Sequence, residues 1–346
     1  MNKGIFYIPC YPKKTELHQI VEEIKKSVIF CDKNNFKDSY FGEHLADKYE
    51  KITSSLGIIS AVSTLTKKIN LASLTTNLTF YHPSVLAAHL SLIDNLSKGR
   101  FVLGIGSGSN ISDVESLELL GKDNRRKMYE ILSLTKKLLK SKNLVNLKSK
   151  SFNISTQKKG NKSLGLGFYN PLYKDRKNLE IVLPALNPDS NNVKTAARNL
   201  WSIVISNFCS DDVVKNHIDS YLHHSPLKKV DALNKIKLAR FIFVSNNKAK
   251  MGNLFEKNSP YMGVLKTLHT KLKYYNRLDC FGNLKDLKTR SIAEKLFIYG
   301  DKKQISIKIK SLIREYGKIG SLVYTHVPNT GNKYFDQSLK LFSQCK

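Results

Sequence analysis

Residues 69–109 read INLASLTTNLTFYHPSVLAAHLSLIDNLSKGRFVLGIGSGS, and the fold is decided here. The first seven, 69–75, form a short apolar, hydroxyl-rich run of strand character. Pro83 then opens a helix, with Val85, Leu86, Leu90 and Ile93 on one face and proline at the tolerated first turn. A second strand over 101–105 ends among Gly104, Gly106 and Gly108. Strand, helix, strand is the repeating unit of a parallel α/β sheet.

The same alternation runs outward in both directions. Before it come a buried strand at 4–8, a helix over 17–30, a strand at 38–41 and a helix over 54–65. The first of these helices is apolar at Leu17, Ile20, Val21, Ile24, Val28 and Ile29, a helical period. After it come a helix over 123–139, a polar stretch over 141–178 and a strand at 181–183. A helix near 190–199 and strands at 201–206 and 241–244 follow. Residues 246–295 break the pattern and read as a loop with helices. A helix over 301–316, a strand at 321–326 and a helix over 334–342 close the chain. Eight strands alternating with helices predict an α/β fold, a single (β/α)8 TIM barrel with insertions, as one domain over 1–346. A doubly wound sheet is the alternative. The barrel is preferred because the alternation persists and no change of composition marks a boundary.

Composition narrows the class. The 57 Lys and Arg against 28 Asp and Glu leave a formal charge of +29. Lys accounts for 48 of them and Arg for 9, and the lysines are scattered, often in pairs. Nucleic-acid sites favour Arg forks, so a solvated Lys-rich surface is the reading, with no specific nucleic acid. Such a charge would still attract phosphorylated ligands. The hydrophobic share of 41% supports a sizeable core. No run of about 18 apolar residues occurs, so no membrane span is expected. The five cysteines, Cys10, Cys31, Cys209, Cys280 and Cys345, show no metal or dithiol spacing. With an initial apolar run too short for a signal peptide, the expected location is the cytoplasm.

Barrel chemistry sits at the C-terminal ends of strands. The second strand ends in Phe41-Gly42-Glu43-His44, where a histidine would act as acid, base or hydrogen-bond donor. The alternative is a structural histidine bonded to a neighbouring loop. The third strand leads into Thr75, Thr76 and Asn77, polar groups suited to a polar ring or to helix capping. The fourth ends in Gly106-Ser107-Gly108, where exposed N–H groups cradle anions. The fifth leads into Asn187-Pro188-Asp189-Ser190-Asn191-Asn192, a helix start that either caps itself or takes a phosphate. Arg125 and Arg126 lie within reach of such a phosphate or are surface charge. His223-His224 reads as loop, and no metal site is expected.

These elements together resemble the bacterial luciferase-like flavin monooxygenases. Gly42-Glu43-His44 is similar to that family's Glu-His element. The run from Leu92-Ile93-Asp94 through Ser97-Lys98-Gly99-Arg100-Phe101 to Gly106 is similar to its most specific signature. Leu119-Leu120-Gly121 with Arg125-Arg126, and Phe297 to Asp301, resemble the limonene-monooxygenase-like branch. The resemblance implies a barrel that binds reduced FMN and uses O2 to oxidise a small organic substrate. It implies His44 as the catalytic histidine and Thr75 and Asn77 against the isoalloxazine edge. Ser107, Asn187, Ser190, Asn191 and Asn192 would complete the cofactor site, the last four at the phosphate. It also implies a non-proline cis peptide near Leu74–Thr75, a separate NAD(P)H:flavin reductase, and a homodimer. The chain departs from the pattern at Leu45, where many members carry a second histidine, at Ser107, where some place an arginine, and at Asp189. Those departures motivate two alternatives, a deazaflavin-dependent oxidoreductase and a non-catalytic flavin-binding protein.

Overall fold

The computed structural model describes residues 1–11, 15–327 and 333–346. Among these, eight strands form a closed parallel barrel: β1 (Asn2–Tyr7), β2 (Asp38–Phe41), β3 (Asn70–Ser73), β4 (Phe101–Gly106), β5 (Glu180–Ala185), β6 (Ser202–Ile205), β7 (Ile236–Arg240) and β8 (Ser321–His326). Strands pair in chain order, and pairing of Asn2 with Ser321 closes the ring. Outside lie α1 (Leu17–Lys33), α2 (Ser55–Ser63), α3 (Pro83–Leu96), α4 (Asn124–Lys140), α5 (Asn191–Arg198), α6 (Asp211–His224), α7 (Lys302–Tyr316) and α8 (Lys333–Ser343). Starts follow the capping chemistry of the sequence. Ser54 accepts from Gly57 N before α2, and Asp301 and Gln304 form a reciprocal capping box at α7.

The period of two along each strand divides the core. Ile5, Leu71, Leu103, Leu183, Ile203 and Leu322 face the helices. Tyr40, Ala72, Val102, Val182, Val204, Ala239 and Val323 fill the barrel interior. Below them is a polar layer. Asp38 accepts from Ser321 Oγ (2.8 Å) and Asn70 Nδ2 (2.9 Å), and Ser202 donates to Glu180 (3.2 Å). Buried Lys237 reaches Ser202 Oγ at 3.4 Å. The interior is therefore plugged at the N-terminal end and open only at the other, which puts any site at the C-terminal rim.

The seventh strand corrects the sequence reading. Residues 241–244 do not enter the barrel; Ile236–Arg240 does. Ile242–Val244 instead pairs with Ile298–Gly300 in a separate two-stranded sheet. Lys237 points into the barrel and joins the polar layer, and Arg240, on the other face, pairs with Asp211 at 3.2 Å. Each buried charge has a partner, so the strand is tolerated.

Residues 246–295 form a helical cap over the C-terminal rim, with helices at Pro260–Tyr274 and Thr289–Leu296. Its core is aromatic: Phe241, Phe243, Phe255, Tyr261, Phe281 and Phe297. The cap packs on itself and on Ile8, Cys10 and Phe208 of the rim, so it lacks the strand–helix alternation of the rest. Among the described residues, no helix is long and apolar enough to cross a membrane.

Candidate active site

A cavity of about 520 Å³ opens at the C-terminal rim, a size typical of cofactor pockets. Of the site residues read from the sequence, His44, Thr75, Asn77, Ser107, Asn187, Ser190 and Asn192 line it. Asn191 does not. It is the first residue of α5, and its side chain is exposed.

The wall nearest β2 is built from charge. Glu43 is buried and accepts from Ser55 N (2.8 Å), Ser55 Oγ (2.7 Å) and Asn77 N (2.9 Å), tying the β2 end to α2 and to the segment after β3. Burial still pushes its carboxyl up. His44 next to it has both ring nitrogens occupied. Nδ1 lies 3.1 Å from Asp113 Oδ2 and Nε2 lies 3.2 Å from Glu50 Oε2. Burial by itself would push the imidazole down. The Glu50 charge and the hydrogen bonds to both carboxylates outweigh it and hold the group up at about 10. His44 is thus an imidazolium clamped between two anions.

The clamp extends further. Glu50 Oε1 accepts from Lys271 Nζ at 2.6 Å, and the same ammonium contacts Asp47. Asp47 also accepts from Asn110 Nδ2 at 3.0 Å, and Tyr275 donates to Asn110 Oδ1 at 3.0 Å. Burial disfavours the Glu50 charge, but His44 and Lys271 outweigh it and hold the carboxyl below its usual range.

The floor is made by the β3 and β4 tips. The peptide Leu74–Thr75 is cis, as the resemblance implies, and Thr76–Asn77 then pairs with Ile105 and Gly106. Asn77 Oδ1 accepts from Gly108 N at 3.2 Å, which leaves its NH2 group free of that bond. Gly106 is required here: a Cβ would sit 2.2 Å from Thr75 Oγ1 and 2.7 Å from Asn77 Oδ1. The backbone therefore comes close to the cavity and to both polar side chains.

The far wall is cationic and amide-rich. Ser190 caps α5 through Asn192 N, and Asn192 accepts from the Arg125 guanidinium at 3.1 Å. Arg125 and Arg277 both line the cavity; Arg126 does not. Asp189 is turned away, its carboxylate accepting from Asn216 Nδ2 at 3.2 Å and its own N–H donating to Asn216 Oδ1 at 3.1 Å. It therefore does not oppose an anion beside Ser190. Asn207, 2% exposed, also lines the cavity, and its Nδ2 finds no partner among the described residues. A buried amide without a partner fits a ligand acceptor placed beside it.

Sequence reasoning missed Glu50, Lys271, Tyr275, Arg277 and Asn207. Asn207 follows β6 as Asn77 follows β3, so the same strand-tip signal was available. The others belong to loops and the cap and carry no local mark. The most specific signature, by contrast, is structural. Asp94 is fully buried, accepts from Tyr173 N (2.9 Å) and pairs with Arg176. Arg100 donates to the carbonyls of Ser63 and Ile69, both at 2.8 Å, and of Thr66 at 3.1 Å. The motif secures the turn from α3 into β4, at the closed end of the barrel.

Comparison with known proteins gives concordant findings. Residues 2–161 match a family model described as luciferase-like monooxygenase. The chain is 24% identical over 362 residues to 2,5-diketocamphane 1,2-monooxygenase 2 of Pseudomonas putida, covering 99% of this chain and 97% of that protein. It is 29% identical to limonene 1,2-monooxygenase of Rhodococcus erythropolis over 136 residues, 39% of this chain and 35% of that one. Among solved structures, the oxygenating constituent of 3,6-diketocamphane monooxygenase from P. putida superposes with a TM-score of 0.86. It is 19% identical, with 100% of this chain and 97% of that one covered, and is described as a type II Baeyer–Villiger monooxygenase in complex with FMN.

Proposed function

Because the chain belongs to the luciferase-like monooxygenase family, we infer that it is a flavin-dependent monooxygenase that uses reduced FMN and O2 to oxidise a small organic substrate. The observation that carries this reading is the convergence of His44, Thr75, Asn77, Ser190, Asn192 and Arg125 on one cavity. When bound, reduced FMN supplies the electrons that activate oxygen. The chain binds, orients and shields. Arg125, Ser190, Asn192 and Asn187 would hold the phosphate, with the start of α5 adding its dipole. Thr75, Asn77, Ser107 and the unpaired amide of Asn207 would bond the ring system. Phe6, Ile8, Leu186, Phe208, Leu268 and Leu272 form the apolar wall that keeps water from the reacting face.

His44 is the proposed catalytic residue. With both nitrogens engaged, its imidazolium acts as a fixed positive charge at the cavity wall, stabilising negative charge that develops there. A proton shuttle would first have to release one carboxylate. Replacing His44 by Ala is expected to lower turnover per folded molecule by about 10²–10³-fold, and to lower stability because Glu50 and Asp113 lose their shared cation.

Reduced flavin would come from a separate reductase, since the sequence offers no nicotinamide site. A homodimer is supported by Leu65, Val85 and Leu92, which are exposed at 43%, 50% and 60%. Five free, buried cysteines fit a reducing compartment.

The test is an anaerobic titration with reduced FMN and reduced deazaflavin coenzyme side by side. Oxygen uptake is then followed with NAD(P)H, a flavin reductase and a panel of cyclic ketones, chosen because two similar proteins are named diketocamphane monooxygenases. Saturable FMN binding with substrate-dependent oxygen uptake is expected. Binding of the deazaflavin alone, with hydride transfer and no oxygen uptake, would overturn the reading.

A further inference from the structure

Lys271 comes from the cap, far along the chain from the β2 loop, yet it meets the one carboxylate that touches His44 Nε2. Glu50 divides its oxygens between two cations, Oε2 to His44 at 3.2 Å and Oε1 to Lys271 at 2.6 Å. Asp113, on the other side of the imidazole, has no such cation among the described residues; its second oxygen accepts from Ala46 N at 2.7 Å. Asp47, the other partner of Lys271, also accepts from Tyr49 N and Glu50 N, at 2.9 and 3.1 Å. Lys271 therefore holds Glu50 directly and also pins the turn that carries it.

Charge balance makes this more than an anchor. The cluster contains three carboxylates, Asp47, Glu50 and Asp113, and two cations, His44 and Lys271. Glu50 is 6% exposed and Asp113 is 1% exposed. Without Lys271, one imidazolium would be left with the buried Glu50 and Asp113 and the half-buried Asp47. The least costly response of such a site is for one carboxylate to take up a proton. Glu50 and Asp47 both lose a direct partner, but Asp47 keeps the bonds from Tyr49 N, Glu50 N and Asn110 Nδ2, so the proton goes to Glu50. A protonated Glu50 no longer requires a charged His44, nor does it hold Nε2–H in place.

We propose that Lys271 is a positioning residue of the active site: by keeping Glu50 ionised, it holds the His44 imidazolium in one orientation at the cavity wall. This rests on the reading of that cavity as the active site. The helix Pro260–Tyr274 also places Leu268 and Leu272 in the apolar wall, so the same element shapes the substrate space and sets the charge opposite it.

The groups facing Glu50 are few. His44 and Asp47 come from its own loop. Cys10 follows β1, and burial pushes its thiol up to about 12, so it stays neutral. Lys271 and the phenol of Tyr275 come from the cap, and Asp113 acts through His44. Among the described residues, only Lys271 supplies a second positive charge.

The test compares Lys271→Met, Lys271→Gln and Lys271→Arg with the unsubstituted protein. In ligand-free protein carrying ¹⁵N-histidine, the His44 ring signals are followed as pH falls, to read the midpoint at which Glu50 takes its proton. The Met and Gln variants are expected to raise that midpoint by about 1–3 pH units, and Arg to restore it. The acid limb of kcat/KM should move in the same direction. Gln serves where the Met variant does not fold. Unchanged midpoints in both neutral variants overturn the proposal, as does an Arg variant that folds but behaves like Met. Failure of the unsubstituted protein to bind reduced FMN would remove the proposed function, while the ligand-free titration would still judge Lys271.

Discussion

Arg125 is the side chain through which the proposed phosphate site can be told apart from the proposed ring site. Its guanidinium donates to Asn192 at 3.1 Å beside the Ser190 cap, in the wall of the cavity that His44 also lines. Hydrogen bonds to a charged group contribute about 1.5–3 kcal/mol. Arg125→Ala is therefore expected to weaken FMN binding about 10–100-fold and to leave riboflavin, which lacks the phosphate, almost unaffected. Parallel fluorescence titrations decide it; equal loss for both ligands would place the phosphate elsewhere. At this scale, legibility followed position on a strand. His44, Thr75 and Asn77 stand at strand tips, where the pattern along the chain marks the barrel rim. Asn191 was read from the same helix start as Ser190 and Asn192 but turns outward, because successive residues of a helix face different directions.

Among the elements, β4 is the most constrained. Gly104 faces Ser73 across the barrel wall, where a Cβ would fall 1.8 Å from the Ser73 carbonyl oxygen, and Gly106 meets Thr75 and Asn77. Gly106→Ala forces a methyl group into that contact and should cost about 1–3 kcal/mol, with FMN affinity falling as Thr75 and Asn77 shift. Gly263, inside the helix Pro260–Tyr274, has nothing within 4 Å of a built Cβ. Gly263→Ala should accordingly gain up to about 1 kcal/mol from helix propensity. Urea unfolding of the two variants tests the pair, and equal effects would mean that close approach does not decide the cost. The alternation of the elements was readable because strand and helix periods are local. β7 lies just before the run assigned to it and carries two buried charges, Lys237 facing inward and Arg240 facing the helices. Their partners, Ser202 and Asp211, lie on other elements.

The whole molecule carries opposing histidine linkages. His217 is buried on α6, and burial pushes its imidazole down from 6.5 to about 4. A group depressed in the folded state contributes stability above pH 6.5 that is lost as pH falls through 4. His44 is held up at about 10, so its contribution is complete below 6.5 and is lost as pH rises through 10. Stability should be greatest near neutral pH. His44→Gln should flatten the alkaline decline, by about 2–4 kcal/mol between pH 6.5 and 10, and shift the acid decline to higher pH, because Glu50 loses the imidazolium that favours its charge. Urea midpoints across that range test this, and an alkaline limb that persists in the variant would remove His44 as its source. Taken alone, the order of residues determined the barrel and the rim position of His44, because periodicity and strand ends are expressed between near neighbours. Folding in three dimensions decided the charge around that histidine, since Lys271 and Glu50 are 221 residues apart and meet only once the cap settles on the closed barrel. The same holds for Arg125 beside Asn192, for the unpaired amide of Asn207, and for the partners that let Lys237 enter the wall. A burial cost is offset by a partner, and a partner from a distant element leaves no trace in the local pattern.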